Sequence, residues 1–281
     1  MIPLDRSKES RPRLRERMRR ALSTPRFILC WVAIWMSAML TGDYYVQVEA
    51  PAMNARIALH QEMVTGNAPY AYRYRVLTPY AAEVAARMLQ QAPIISTRPL
   101  APPLRYSEVA FTAAYSLLNM AALVTLLWSI GELTWRLSRY DLALLGVAIA
   151  AVLVRFTFRD HYYHPWSFWE GAFFALGLLL IHQQRYLLFS VVNLFGLLNR
   201  ETSVFLLVAF LLIALPRDRS KASAIATLRS APFRFAVANL IAWVIGFFAL
   251  HYVVGYKPST FTIETAVAGN RAHVWLSLIH I

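Results

Sequence analysis

Residues 109–130 read VAFTAAYSLLNMAALVTLLWSI without one charged side chain. A helix of about 20 such residues crosses the hydrocarbon core of a bilayer. Similar runs recur at 27–40, 142–154, 168–181 and 235–255, and a longer one covers 186–215. Composition agrees: 58% of the residues are hydrophobic and 15% charged, against about 25% charged in soluble domains. The net charge of +13 does not point to nucleic acid. The basic residues are scattered between apolar runs, and the one dense block, 6–20, lies just ahead of the first run, where it suits the cytoplasmic membrane surface. Cys30 is the single cysteine, so no internal disulfide forms.

The stretch 186–215 decides the number of spans. As one helix it would be about 45 Å long, against a core of about 30 Å, and Asn199, Arg200 and Glu201 would sit at its middle. As two short helices it turns at NRET, and 217–234, rich in arginine and lysine, returns to the side of the N-terminus. That arrangement puts the larger share of the 28 basic residues inside, as the positive-inside rule requires. The expected fold is an all-α polytopic membrane protein of about seven transmembrane helices, two of them short. Residues 1–26 form a basic cytoplasmic segment and 27–281 a single transmembrane domain. The first extracytoplasmic loop, 41–106, is large and carries amphipathic helices near 46–64 and 76–90.

With this topology the polar groups nearest the apolar runs gather on the outer face. Asp43, at the exit of the first span, suits a base that takes a proton from a hydroxyl. Glu49, six residues on, carries less weight. Arg73 and Arg75 point the same way in an extended segment and suit a phosphate gripped bidentately. The alternative for both is ordinary interfacial chemistry: acids and tyrosines at a turn, arginines reaching for lipid headgroups. Asp160 is a second acid in the next outer loop, with His161 beside it. His161 and His164 have the spacing of a metal pair but lack a third ligand, and no metal site is expected. Arg200 and Glu201, between two short helices, are expected either to pair as a structural clamp or to line a cavity. His182 and His251 stand singly on apolar runs, as core or interface residues do.

The segments GDYY (42–45), YRYRVLTP (72–79), Asp160 and LLNRET together resemble the layout of the GT-C superfamily of integral membrane glycosyltransferases. The resemblance implies a plasma-membrane (bacterial inner-membrane) protein of the cell envelope that takes a sugar from a polyprenyl-phosphate donor. It implies Asp43 and Asp160 as catalytic residues, Asp43 as the base, and Arg73, Arg75 and Arg200 as phosphate holders. Tyr45, His161 and Glu201 would be further substrate contacts. It leaves the cofactor unassigned. Members of that superfamily have more spans than seven, and this chain stops inside an apolar run, HVWLSLIHI, so it is read as a C-terminally truncated fragment. Two other classes fit the residues: a transporter or flippase with a polar path around Glu170 and Arg200/Glu201, and a non-catalytic assembly subunit.

Overall fold

The computed structural model describes residues 25–68, 75–92, 107–157, 166–215, 228 and 230–254. All regular structure among them is helical. In chain order the helices are α1 (Pro25–Tyr44), α2 (Met53–Val64), α3 (Leu77–Gln90), α4 (Glu108–Leu137), α5 (Tyr140–Thr157), α6 (Trp166–His182), α7 (Tyr186–Asn199), α8 (Val204–Ala214) and α9 (Ala231–Val254). A π-helical turn, Tyr45–Glu49, extends α1, and a short 3-10 turn, Glu201–Ser203, separates α7 from α8. Three helical segments are long and apolar enough to cross a membrane: Pro25–Glu49, Glu108–Leu137 and Ala231–Val254. Their outward faces are apolar too. Trp31, Trp35, Met39, Leu117, Ile245 and Phe248 are all exposed, a pattern that suits lipid rather than water.

The long helix α4 is the centre of the bundle. Its middle packs Ala122, Leu123 and Leu127 against Leu29 and Ala33 of α1, Ala143 and Val147 of α5, and Ala172 of α6. Close approach depends on small residues. A Cβ on Gly131 would lie 2.7 Å from Leu29 Cδ1 and 2.9 Å from Val147 Cγ2, so any larger residue there would have to push these methyl groups aside. Near its start α4 packs Phe111 and Tyr115 against Met53 of α2 and Ala82 and Ala86 of α3. Ser107 ties these pieces together. Its Oγ accepts from Ala110 N at 3.2 Å, capping α4, while its own N–H donates to Gln90 Oε1 at 2.7 Å, at the end of α3.

The 186–215 stretch folds back on itself, as the two-helix reading expects. Tyr186, at the start of α7, stacks on Phe210 near the end of α8, with centroids 5.4 Å apart, and Phe189 meets the same ring edge-on at 4.9 Å. The apex falls at Arg200, whose backbone is extended (φ −166, ψ 141). The first span differs from expectation in its length. The helix continues past Leu40 to Tyr44 because Tyr44 is buried and packs its ring on Phe168 at 5.1 Å. Helices do form close to 46–64 and 76–90, but the inward face of α2 carries Arg56 and His60 between Met53 and Met63 rather than an unbroken apolar stripe.

Ion pairs define the two ends of the bundle. At one end Glu132, in the last turns of α4, receives Arg26 at 3.3 Å and Arg136 at 2.7 Å. At the other, Asp43 of α1 meets Arg155 of α5 at 2.7 Å, and Glu170 of α6 meets Arg200 at 2.6 Å. Helix α3 joins this second end through Thr78 Oγ1, which donates to Asn199 Oδ1 at 2.8 Å. If a membrane separates the ends, cysteines at the exposed Asn67 and Ser138, in a Cys30→Ser background, are modified by an impermeant thiol reagent from opposite sides. Labelling of both from one side contradicts the arrangement.

Candidate functional site

Asp43 lies on the last turn of α1, just before the π-helical turn. Its two carboxylate oxygens are held from different directions. Gln47 Nε2 donates to Oδ1 at 2.5 Å and Arg155 Nε donates to Oδ2 at 2.7 Å. The pair closes the polar end of a cavity of about 350 Å³ otherwise lined by Met36, Met39, Leu40, Ala151 and Val152. The site is therefore an apolar slot between α1 and α5 with a cation and an anion at its mouth.

A second polar centre stands at the same end of the bundle. Glu170 accepts from Arg200 Nη1 at 2.6 Å and from the Thr202 hydroxyl. Ser203, one residue on, accepts from Trp243 Nε1 of α9 at 2.9 Å. A narrow void beside Glu170 and Arg200 is lined by Phe173, Phe174, Asn193 and Ser203. The Tyr44–Phe168 contact connects the two centres, since these residues neighbour Asp43 in the chain and precede Glu170 by two positions.

Behind the first centre lies a buried polar network. Glu49 and Arg56 pair at 2.9 Å with both side chains almost inaccessible. Arg56 also donates to Tyr44 Oη at 3.4 Å and rests on the Tyr115 ring, 4.6 Å from its centroid. His60 bridges Tyr115 Oη, 2.8 Å from Nδ1, and Glu83 Oε2, 3.2 Å from Nε2. Arg87 completes the chain on Glu83 at 2.6 Å. The network fastens α2 and α3 to α1 and α4, fixing the two helices that cover this end.

His60 lies outside the three candidate membrane-crossing segments. Burial pushes its imidazole below the ordinary value of 6.5, with the Glu83 carboxylate pulling the other way. The unfolded chain then holds this proton more readily than the folded one. The stability His60 contributes is complete above about pH 6.5 and is lost as pH falls through the lowered value. A His60→Gln chain is expected to show a flatter loss of stability as pH falls below about 6.5 in detergent-unfolding curves. An unchanged slope assigns the acid sensitivity to other groups.

The residues singled out in the sequence fare differently. Asp43 stands at the slot, and Tyr45 lies beside it in the π-helical turn, exposed. Arg75 is buried, three residues ahead of Thr78; neither it nor Arg200 is among the residues lining the Asp43 slot. Arg200 pairs with Glu170 and not with Glu201, which is exposed. The extended backbone at Arg200 explains this, because successive side chains in extended chain point to opposite sides. Arg73, Asp160 and His161 lie outside the described residues. Among the described residues, no three His, Cys, Asp or Glu side chains gather as metal ligands would.

Arg155, Arg56, His60 and Glu83 were not singled out in the sequence. Arg155 had a signal, a lone charge closing an apolar run, which calls for a partner. Arg56 and His60 are one helical turn apart, as are Glu83 and Arg87, so each pair shares a face. Comparison with protein-family models, with curated proteins and with solved structures gave no match.

Proposed function

We propose that this chain is a polytopic membrane glycosyltransferase that takes a sugar from a polyprenyl-phosphate donor and passes it to a hydroxyl acceptor at the extracytoplasmic face. The observation that carries the reading is the Asp43 carboxylate at the mouth of an apolar slot, with an arginine in contact with it. The acceptor oxygen attacks the anomeric carbon, the bond from that carbon to the donor phosphate breaks, and Asp43 takes the acceptor proton. Lipid phosphate is the leaving group. Arg155 and Arg200 are the cations that pair with the acids Asp43 and Glu170; Arg73 and Arg75 are the further candidates that the sequence offers from the first loop. Membrane lipid and the donor are the partners; nucleic acid has no part.

In this reading the chain crosses the membrane about seven times. The three long spans are joined by α5 and α6 and by the hairpin α7–α8, with the N-terminal basic block, Arg136, Arg139 and Arg185 in the cytoplasm. Helix α7 has 14 residues and is about 21 Å long, so its apex lies about 9 Å short of the far side of a 30 Å core. The Glu170–Arg200 pair is then inside the hydrocarbon thickness, reached from the outer face. That depth also favours the second reading, a carrier with this pair on its path.

Reconstituted full chain, given a panel of radiolabelled polyprenyl-phosphate sugars in the outer leaflet with hydroxyl acceptors, is expected to release lipid phosphate and form a glycosylated product. Movement of intact donor between leaflets without cleavage supports the carrier and overturns the enzyme reading.

A further inference from the structure

The slot between α1 and α5 sets one acid and one arginine against walls that are otherwise apolar. Its walls are Met36, Met39, Leu40, Ala151 and Val152, and its polar residues are Asp43 and Arg155. Met39 and Val152 are themselves exposed at its edge, so the slot opens sideways, toward the surface that the apolar faces of α1 and α5 present. Arg155 is 55% exposed and bonds Asp43 through Nε, while Asp43 is 27% exposed. The pair is accessible at its mouth, with apolar side chains beneath it.

We propose that Arg155 holds the phosphate of a lipid whose chain lies in this slot, and that the phosphate takes Arg155 from Asp43 as it binds. Guanidinium is suited to this exchange. Its Nε edge grips a phosphate by two parallel bonds, whereas Asp43 occupies it at Nε. The methionine walls suit a chain of irregular shape, because thioether side chains adapt to what they touch. Gln47 keeps Asp43 in place through Oδ1 after the exchange, leaving Oδ2 open to a hydroxyl. In the resting chain the two charges neutralise each other, and the base is uncovered only with the lipid seated. The lipid site rests on the α1–α5 geometry alone; the use of the uncovered base rests on the glycosyltransferase reading above.

The exchange has an unusual signature, because Asp43 competes with the ligand. Binding of undecaprenyl phosphate to the full chain in nanodiscs is to be measured for wild type, Arg155→Gln and Asp43→Asn, with undecaprenol and inorganic phosphate as comparison ligands. Arg155→Gln is expected to weaken binding at least about tenfold, in the range of a lost charged hydrogen bond. Asp43→Asn is expected to tighten it by about threefold or more, since a charged rival is removed. Undecaprenol and inorganic phosphate are expected to bind weakly, each lacking one half of the ligand. Val152→Trp, which narrows the slot at its exposed edge, is expected to weaken the lipid alone. Equal binding by wild type and Arg155→Gln overturns the proposal, as does weaker binding by Asp43→Asn. Inorganic phosphate competing as well as the lipid overturns the part assigned to the slot. Arg155-dependent binding without any sugar transfer leaves this site standing and removes the glycosyltransferase reading, so the two fail separately.

Discussion

Arg56→Ala is expected to destabilise the folded chain by about 3–5 kcal/mol, the range for breaking a buried ion pair by removing one partner. The Glu49 carboxylate would be left in a site where its side chain is 1% exposed. Its Oε2 already accepts no hydrogen bond among the described residues, so Arg56 is its main compensation. Arg56 also covers the Tyr115 ring and bonds Tyr44, so its loss loosens α2 from both α1 and α4. Unfolding in mixed micelles of rising SDS content, followed by circular dichroism, measures the effect. A double change, Glu49→Gln with Arg56→Met, removes both charges and is expected to recover much of the loss. A single-variant loss under about 1 kcal/mol would mean the pair is hydrated and behaves as a surface bridge.

On the proposed glycosyltransferase reading, Asp43→Asn is expected to lower turnover by about 10²–10⁴-fold, the range for loss of a positioned general base. Asparagine keeps the size and shape of the side chain, so packing at the end of α1 is preserved. Donor binding is not expected to fall with the rate. Sugar release under single-turnover conditions separates the two, because it reads chemistry apart from binding. Wild-type turnover in this variant would move the base to another residue.

The helical class was legible because apolar runs leave few alternatives: in hydrocarbon every backbone polar group must be satisfied within its own helix. The turn at NRET was legible for the same reason, three polar residues being too costly in the middle of one continuous span. What sequence could not supply was the partner of each charge. Arg200 could be read either as the clamp partner of Glu201 or as lining a cavity; it meets Glu170, thirty positions earlier in the chain, because the helix break extends the backbone at that residue. Asp43 likewise finds Arg155 across 112 positions. The buried network draws Glu49, Arg56, His60, Glu83 and Tyr115 from segments that look unrelated when read in order. Arg56, His60 and Glu83 appear in the sequence as polar residues on short helices, where solvent contact is the ordinary reading. Only the packing of α2 and α3 on α4 turns their faces inward.

If the α7–α8 hairpin lies in the membrane as in the proposed topology, the thirty-residue interval between Glu170 and Arg200 bears on how the chain enters it. Synthesis proceeds from the N-terminus, so α6 and its carboxylate emerge before the hairpin that carries the arginine. An isolated arginine at the centre of a span costs about 2.5–3.5 kcal/mol to insert, and neither limb of this hairpin can shed that cost by reaching the far surface. The counter-charge waits at the place where the apex will lodge. Each limb is too short to be held as an independent span, so the hairpin is retained by what it finds there: Glu170 at its tip, Leu206 seated over Gly177 and Trp243 on Ser203. The last of these belongs to α9, made later in the chain. The tip is thus anchored first by a helix already in place and then locked by one that follows, which makes the order of the helices along the gene part of the folding mechanism.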